Sequence, residues 1–156
     1  MRTGRLPTPG PVEFIATHAS FVFLTPRDVY KIKRPKNYGF FDYSTLAARK
    51  HFCEEELRLN RRTAPDVYLE VLPIERDGAV VDYAVHMRRL PDERSLKAGV
   101  GHGELAAVAR FMADFYRRAA GSPNAFDSFR RTIRDNFEQV RPYVGRFIDA
   151  ARFEET

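Results

Sequence analysis

Strand-like and helical segments are separated along this chain, and this separation limits its possible folds more than any other feature. Segments with strand character lie before residue 91, with one helix among them, whereas every segment after residue 102 has helical periodicity. We predict strands over Val12–Thr17, Ser20–Leu24, Val29–Lys33, Val67–Glu75 and Ala79–Leu90, and helices over Thr45–Arg62, from Gly103 to a stop at 121–123, and over 126–153 with an interruption near Pro142. Antiparallel strands followed by helices indicate an α+β fold.

Turn and cap residues support the same division. Thr25–Asp28 contains Pro26 and joins the second and third strands as a hairpin. Asp77-Gly78, a strong hairpin signal, joins the last two strands. Ser44 or Asp42 is expected to cap the first helix.

Three parts are predicted along the chain. Residues 1–11 carry three prolines and lack the apolar stretch of a signal peptide, so we expect a flexible leader. Residues 12–92 form a sheet lobe with one helix, and residues 93–156 form a helical part. A length of 156 residues suits one domain or one lobe of a two-lobed domain.

The charge balance favours anionic partners. The formal net charge is +5 and the isoelectric point is near 9.6, which suits nucleotides, nucleic acid or an acidic membrane. Arginines are spread over the whole chain, however, so a solvated basic surface is an equally simple explanation. No apolar stretch has the length of a membrane span, and we expect no membrane partner. Cys53 is the only cysteine, which excludes an intrachain disulfide and suits a cytoplasmic location.

Two lysines lie within the third predicted strand. Lys31 and Lys33 are two residues apart and therefore point to the same face, while Tyr30 and Ile32 point to the other. A lysine on a half-buried strand needs an anionic partner, because burying an unpaired ammonium group is costly. The alternative is a twisted edge strand with two solvated lysines.

Three consecutive glutamates lie in the first predicted helix. Glu54, Glu55 and Glu56 span most of a turn, so they cannot all point inward. We select Glu56 as the inward carboxylate and Glu55 as the second choice. Glu54 is placed to pair with Arg58 at the favourable i,i+4 spacing.

Other catalytic and metal-binding signals are absent from the sequence. His18, His51, His86 and His102 do not have metal-ligand spacing on one element, so we predict no metal site. The chain also lacks the Gly-x-Ser-x-Gly, Walker A and Gly-x-Gly-x-x-Gly motifs. The aromatic residues occupy core-like positions instead of alternating with a basic stripe, which disfavours a nucleic-acid partner.

Several ordered motifs resemble one bacterial family. They are Thr17-His18-x-Ser20-x-Val22-Phe23-Leu24, Val29-Tyr30-Lys31-Ile32-Lys33-Arg34-Pro35, Gly39-Phe40-Phe41-Asp42-Tyr43-Ser44-Thr45-Leu46, the run from Phe52 to Arg62 with Ala64-Pro65-Asp66-Val67-Tyr68-Leu69, and Tyr83 to Pro91. Together they resemble the start of aminoglycoside-phosphotransferase-like proteins, in particular the bifunctional ones that carry a C-terminal P-loop ATP-binding domain. The resemblance covers roughly residues 12–120 and weakens toward 156.

The resemblance implies a protein-kinase-like N-lobe over 12–92, followed by the first helices of a C-lobe. It also implies ATP as the ligand, with magnesium and a small-molecule acceptor in the complete enzyme. By position, Lys31 would contact the nucleotide phosphates and Glu56 would hold Lys31, although Lys33 is an alternative for the phosphate contact. The remaining implied contacts are Ser20 at the phosphates, the hinge Met87–Leu90 with Met87, Arg88 and Leu90 at the adenine edge, and Val22, Ile32 and Val85 flanking the base.

Two features depart from the family pattern. No glycine lies between Ile15 and Leu24, so Ser20 or local backbone amides would have to serve the phosphates. The sequence also contains no His-x-Asp loop and no metal-binding Asp after it, so we assign no catalytic residue in this chain. We therefore expect an N-terminal fragment of an ATP-dependent small-molecule phosphotransferase. The alternatives are a non-catalytic pseudokinase-like binding module and an inert gene fragment.

Overall fold

In the part of the chain that the structure describes, five antiparallel strands form one sheet in the order β1-β2-β3-β5-β4. A computed structural model describes residues 10–94, 99, 101–119, 121, 123–149 and 153. The strands are β1 (Glu13–Ala16), β2 (Ser20–Leu24), β3 (Asp28–Lys33), β4 (Tyr68–Arg76) and β5 (Ala79–Arg88), and the helices are α1 (Leu46–Asn60), α2 (His102–Arg118) and α3 (Ala125–Val140). The predicted α+β class is confirmed.

The strand connections place β3 in the middle of the sheet. Tight turns join β1 to β2 and β2 to β3, whereas the chain after β3 passes through α1 and β4 before β5 pairs with β3. The β4–β5 hairpin turns at Asp77 and Gly78, whose φ angles are 52° and 80°. Asp-Gly suits this turn because both central residues need positive φ. The edge-strand alternative for Lys31 and Lys33 is therefore wrong, since β3 is flanked by β2 and β5.

The N-cap of helix α1 lies one residue after Ser44 and three residues after Asp42, the two predicted caps. The Thr45 hydroxyl accepts a hydrogen bond from the Ala48 amide at 3.1 Å, which makes Thr45 the N-cap. The Asp42 carboxylate instead accepts from the Ser44 amide at 2.9 Å, in the turn that leads into the helix. The prediction of Ser44 or Asp42 as the cap is therefore wrong, because Thr45 has the extended backbone that a cap requires.

Helix α1 packs against β5 and β4, and this layer contains part of the buried core. Cys53 and Val85 are fully buried between the helix and the sheet, and Tyr43 is buried in the loop that precedes α1. Within this layer Cys53 Sγ lies 3.8 Å from the carbonyl oxygen of Tyr83 on β5. The inward face of α1 is thereby fixed against the sheet.

The later predicted elements differ from the structure mainly at their ends. Strand β5 stops at Arg88, two residues before the predicted end. The helix predicted over 126–153 stops at Val140 and continues into a short 3-10 turn, Arg141–Tyr143, which contains Pro142. Proline cannot continue an α-helical hydrogen-bond ladder, which explains the position of the interruption.

Two compact units divide the chain, residues 1–106 and residues 107–156. The first contains the sheet and α1, and the second contains most of α2 together with α3. The predicted sheet lobe over 12–92 and helical part over 93–156 stay predictions. Of the predicted leader, residues 1–9 lie outside the described part of the chain. No helix in the described residues is long and apolar enough to cross a membrane.

Candidate functional site

One carboxylate on α1 holds two lysines of β3. The ammonium group of Lys31 donates to Glu56 Oε1 at 2.9 Å, and the ammonium group of Lys33 donates to Glu56 Oε2. The pairing that the sequence predicted between Lys31 and Glu56 is present, and Lys33 joins it. The three side chains carry two positive charges and one negative charge, so the cluster has a net charge of +1.

Strand alternation explains why both lysines reach the same carboxylate. Lys31 lies opposite Val22 on β2 and Val85 on β5, and residues opposite each other in a sheet point to the same face. Lys33 lies opposite Ser20 on that face. The face therefore presents two lysines beside apolar and small side chains.

The other two glutamates of α1 point outward. Glu54 pairs with Lys50 at 3.7 Å, and Glu55 pairs with Arg58 at 2.7 Å. The predicted Glu54–Arg58 pair is therefore wrong, because the Arg58 guanidinium forms two hydrogen bonds to the nearer Glu55. Of the three glutamates, Glu56 alone reaches the lysines of β3, as the first choice from sequence proposed.

The environment of Glu56 keeps its carboxyl group ionised. Burial on its own would raise the pKa of Glu56, but the hydrogen bonds from Lys33 and Lys31 outweigh this effect and hold the pKa below the usual 4.5. The pKa values of three neighbouring groups change in the opposite direction. Burial, with the Glu56 charge, raises the pKa of both Tyr43 and Tyr68. Burial also raises the pKa of Cys53 to about 11, so this thiol stays protonated at neutral pH.

The Tyr43 ring lies against the ammonium group of Lys33. The Lys33 ammonium lies 5.5 Å from the centroid of the Tyr43 ring, within cation–π range. The Tyr43 ring is itself held between Phe41, stacked at 5.8 Å, and Phe52 of α1, edge-on at 5.0 Å. The aromatic loop before α1 therefore shields Lys33 from solvent.

The β1–β2 turn is braced by a side chain instead of being built from glycine. Thr17 Oγ1 accepts from the Ser20 amide at 3.0 Å and donates to the Ser20 carbonyl oxygen at 3.0 Å. Ser20 is buried at the start of β2, opposite Lys33. Ser20, a predicted site residue, therefore pairs with Lys33 across the two strands. Its backbone amide is already bonded to Thr17.

The predicted hinge begins inside the sheet. Met87 lies opposite Val29, on the same face as Lys31. The Arg88 amide donates to the Val67 carbonyl at 2.9 Å. The Arg88 amide is therefore bonded to the residue that precedes β4.

The chain leaves the sheet just after Arg88. The Arg89 amide donates to the Arg27 carbonyl at 2.8 Å, so it too is engaged within the fold. Leu90, the last residue of the predicted hinge, follows with a largely exposed side chain. The amides of both Arg88 and Arg89 are therefore engaged within the fold.

One predicted base-flanking residue lies on the wrong face. Ile32 lies opposite Phe21 and Ala84, and alternation directs these three away from the face that carries Lys31. Val22 and Val85 lie on the Lys31 face as predicted. Val29, two residues before Lys31, shares that face.

Sequence reasoning missed a buried ion pair that fixes α1. The Arg49 guanidinium donates to Asp82 of β5 at 2.8 Å and to the carbonyl oxygens of Tyr43 and Ser44 at 3.0 and 3.2 Å. Arginine is rarely buried, and nothing around Arg49 in the sequence distinguishes it from the exposed arginines. The only available signal is the helical spacing of Arg49, Cys53 and Glu56, which places them on one face.

A second polar cluster missed by sequence reasoning lies on the opposite face of the sheet. The His86 ring stacks on Tyr30 at 4.8 Å, and its two nitrogens lie 3.0 Å from Asp28 and 3.2 Å from Glu70. The cluster joins β3, β4 and β5. Among the described residues no group of three or more His, Cys, Asp and Glu side chains could hold a metal ion.

Comparison with known proteins gives relatives of undetermined function. An uncharacterized protein of Mycobacterium tuberculosis, Rv2004c, and one of Mycobacterium bovis, Mb2027c, are each 32% identical to this chain over 109 residues. The matched region is 66% of this chain and 22% of each relative, so the chain spans about a fifth of the length of these proteins. No family model matches the chain, and no solved structure matches it.

Proposed function

We propose that this chain is the nucleotide-binding part of an ATP-dependent phosphotransferase of the aminoglycoside-phosphotransferase-like kind, with residues 12–92 as a protein-kinase-like N-lobe. The observation that carries the proposal is the ion pair between Lys31 on a central strand and Glu56 on α1, at 2.9 Å. A lysine held by a helix carboxylate is how kinases of this type present an ammonium group to nucleotide phosphates.

The charge of the cluster supports an anionic ligand. Glu56 neutralises only one of the two lysines, and the surplus positive charge lies in a partly buried place where an anion would be screened weakly by water. Lys31, with 31% of its side chain exposed, is the ammonium that a ligand can reach. A lysine already held in position loses less conformational entropy when a phosphate binds.

The neighbouring apolar side chains support a nucleotide over a simple phosphate. Val22, Val29, Val85 and Met87 share the sheet face with Lys31. Apolar side chains beside a phosphate-binding group are suited to the flat face of a base, while polar contacts to its edge supply specificity. Leu90, just past the end of β5, would supply the backbone contact to that edge.

The chemical step belongs to a longer protein in this proposal. There the γ-phosphoryl group of ATP would pass to a hydroxyl of a small-molecule acceptor, releasing ADP, with Mg²⁺ neutralising the phosphates. No residue of this chain is assigned to that step. A cytoplasmic location, where ATP is available, completes the proposal.

Calorimetric titration of the 156-residue chain with Mg-ATP tests the proposal. We expect wild-type protein to bind ATP, and Lys31→Met to lose about 10- to 100-fold in affinity, because one charge-assisted contact contributes about 1.5–3 kcal/mol. Lys50→Met is the matched control, since Lys50 is an exposed lysine paired with Glu54 on the outer side of α1. This control should bind ATP like the wild type.

Two results would contradict the proposal. One is the absence of ATP binding by a folded wild-type chain. The other is equal affinity for ATP in wild type and Lys31→Met. Salt-dependent binding of DNA or RNA with no effect of ATP would favour the alternative of a basic binding module.

A further inference from the structure

We propose that Lys33 is the fixed counter-ion of Glu56, a positioning residue that allows Lys31 to turn from Glu56 toward an anionic ligand. The idea deepens the proposed function and rests on it for the identity of the ligand. Its structural part, the unequal roles of the two lysines, concerns the unliganded protein and can be tested alone.

Burial separates the two lysines. The side chain of Lys33 is 8% exposed and that of Glu56 is 11% exposed, whereas Lys31 is 31% exposed. Lys33 also lies against the Tyr43 ring, at 5.5 Å from its centroid. Lys33 therefore has little room to leave Glu56, while Lys31 borders solvent.

The consequence for a ligand follows from the cost of a buried unpaired charge. With a single lysine, drawing that lysine onto a phosphate would leave a buried carboxylate without its partner, which is strongly unfavourable. Here each oxygen of Glu56 has its own ammonium donor. When Lys31 turns to an anion, Lys33 still neutralises Glu56, so the movement costs much less.

Titration of the Glu56 carboxyl group distinguishes this arrangement from one in which Lys31 and Lys33 affect the pKa of Glu56 equally. The titratable groups that face Glu56 come from β3, the loop before α1, α1 itself and β4: Lys31, Lys33, Tyr43, Cys53 and Tyr68. Both tyrosines and the cysteine stay neutral below pH 8, because burial raises their pKa values. Lys33 and Lys31 are therefore the groups of this set whose hydrogen bonds and charges lower the pKa of Glu56.

The first experiment is NMR titration of 13C-labelled glutamate carboxyl groups in the unliganded full chain. In Lys31→Met we expect the pKa of Glu56 to stay below 4.5, because Lys33 remains in place. In Lys33→Met we expect the pKa to rise above 4.5, since burial then faces only the more exposed Lys31. Lys33→Arg, which keeps the charge, should restore the low value. A larger rise in Lys31→Met than in Lys33→Met overturns the proposal.

The second experiment measures how the two lysines respond to ligand binding. On addition of tripolyphosphate or ATP, the side-chain signals of Lys31 should move and those of Lys33 should stay. Lys33→Met should weaken ATP binding about tenfold at pH 7, and part of this loss should be recovered as Glu56 protonates on lowering the pH, because a neutral carboxyl group no longer needs a cation. Lys33→Arg should recover most of the affinity and remove the acid dependence. Movement of the Lys33 signals with the ligand would contradict the assignment.

The two proposals fail in different ways. If ATP and tripolyphosphate do not bind but the Glu56 titration is asymmetric as described, the unequal roles of the two lysines stand, and both the proposed function and the movement of Lys31 toward a ligand fall. If ATP binds and the titration is symmetrical, the proposed function stands and the role of Lys33 falls. If Lys33→Met does not fold, Lys33→Arg keeps the test valid. The required result is then a Lys33→Arg protein that behaves like the wild type and in which the Glu56 titration does not depend on Lys31.

Discussion

Arg49 and Glu56 lie on the same face of α1 and anchor it to the sheet at two points. The seven-residue spacing corresponds to about two helical turns. Arg49 is bound to Asp82 of β5, and Glu56 to the lysines of β3. The first ion pair makes no contact with Lys31, Lys33 or Glu56, and it holds the helix face from which Glu56 reaches Lys31.

Removal of the Arg49 side chain should destabilise the protein strongly. Arg49→Met deletes the bonds to Asp82 and to two loop carbonyls and leaves the carboxylate of Asp82, 19% exposed, without its cation. Breaking a buried pair in this way costs about 3–5 kcal/mol. Urea unfolding followed by circular dichroism measures the change.

Arg58→Met is the matched control for this prediction. Arg58 forms a comparable pair with Glu55 on the exposed side of the same helix, and pairs of that kind contribute about 0–1 kcal/mol. A loss in Arg49→Met no larger than in Arg58→Met would show that the buried pair does not anchor α1.

Regular elements were predictable from the sequence where local signals agree with the tertiary structure. The β4–β5 hairpin follows from Asp77-Gly78, and the two lysines of β3 follow from alternation. The start of α1 was missed because Asp42, Ser44 and Thr45 are all good caps, and only the backbone conformation selects among them. Glu56 was selected correctly as the inward glutamate, whereas the buried Arg49–Asp82 pair was missed, because nothing in the sequence distinguishes Arg49 from the exposed arginines.

The cap of α1 gives a prediction at the scale of a single helix. Thr45→Ala should lower the free energy of unfolding by about 1 kcal/mol, because the Ala48 amide loses its acceptor at the helix start. Thr45→Ser keeps the hydroxyl and should stay within a few tenths of a kcal/mol of the wild type. Urea unfolding of the three proteins provides the values.

Ser44→Ala distinguishes the two cap assignments. The Ser44 amide bonds to Asp42, and this bond survives the substitution. A larger loss of stability in Ser44→Ala than in Thr45→Ala would contradict the assignment of Thr45.

Across the whole chain, the candidate site joins elements that are distant in sequence. Lys31 and Glu56 are 25 residues apart, and the hinge segment follows about 30 residues later. The chain reaches this arrangement by passing through α1 and β4 before β5 pairs with β3. The net charge of +5 would favour the anionic ligand of the proposed site.

The most direct test of the nucleotide site is a map of backbone amide shifts in the full chain on titration with Mg-ATP. We expect the largest changes in β2, in β3 around Lys31, in α1 around Glu56 and at the end of β5 near Leu90, with α3 unchanged. Lys31→Met should remove these changes at the same ATP concentration. No shifts at saturating ATP, or shifts confined to residues 107–156, would contradict the account.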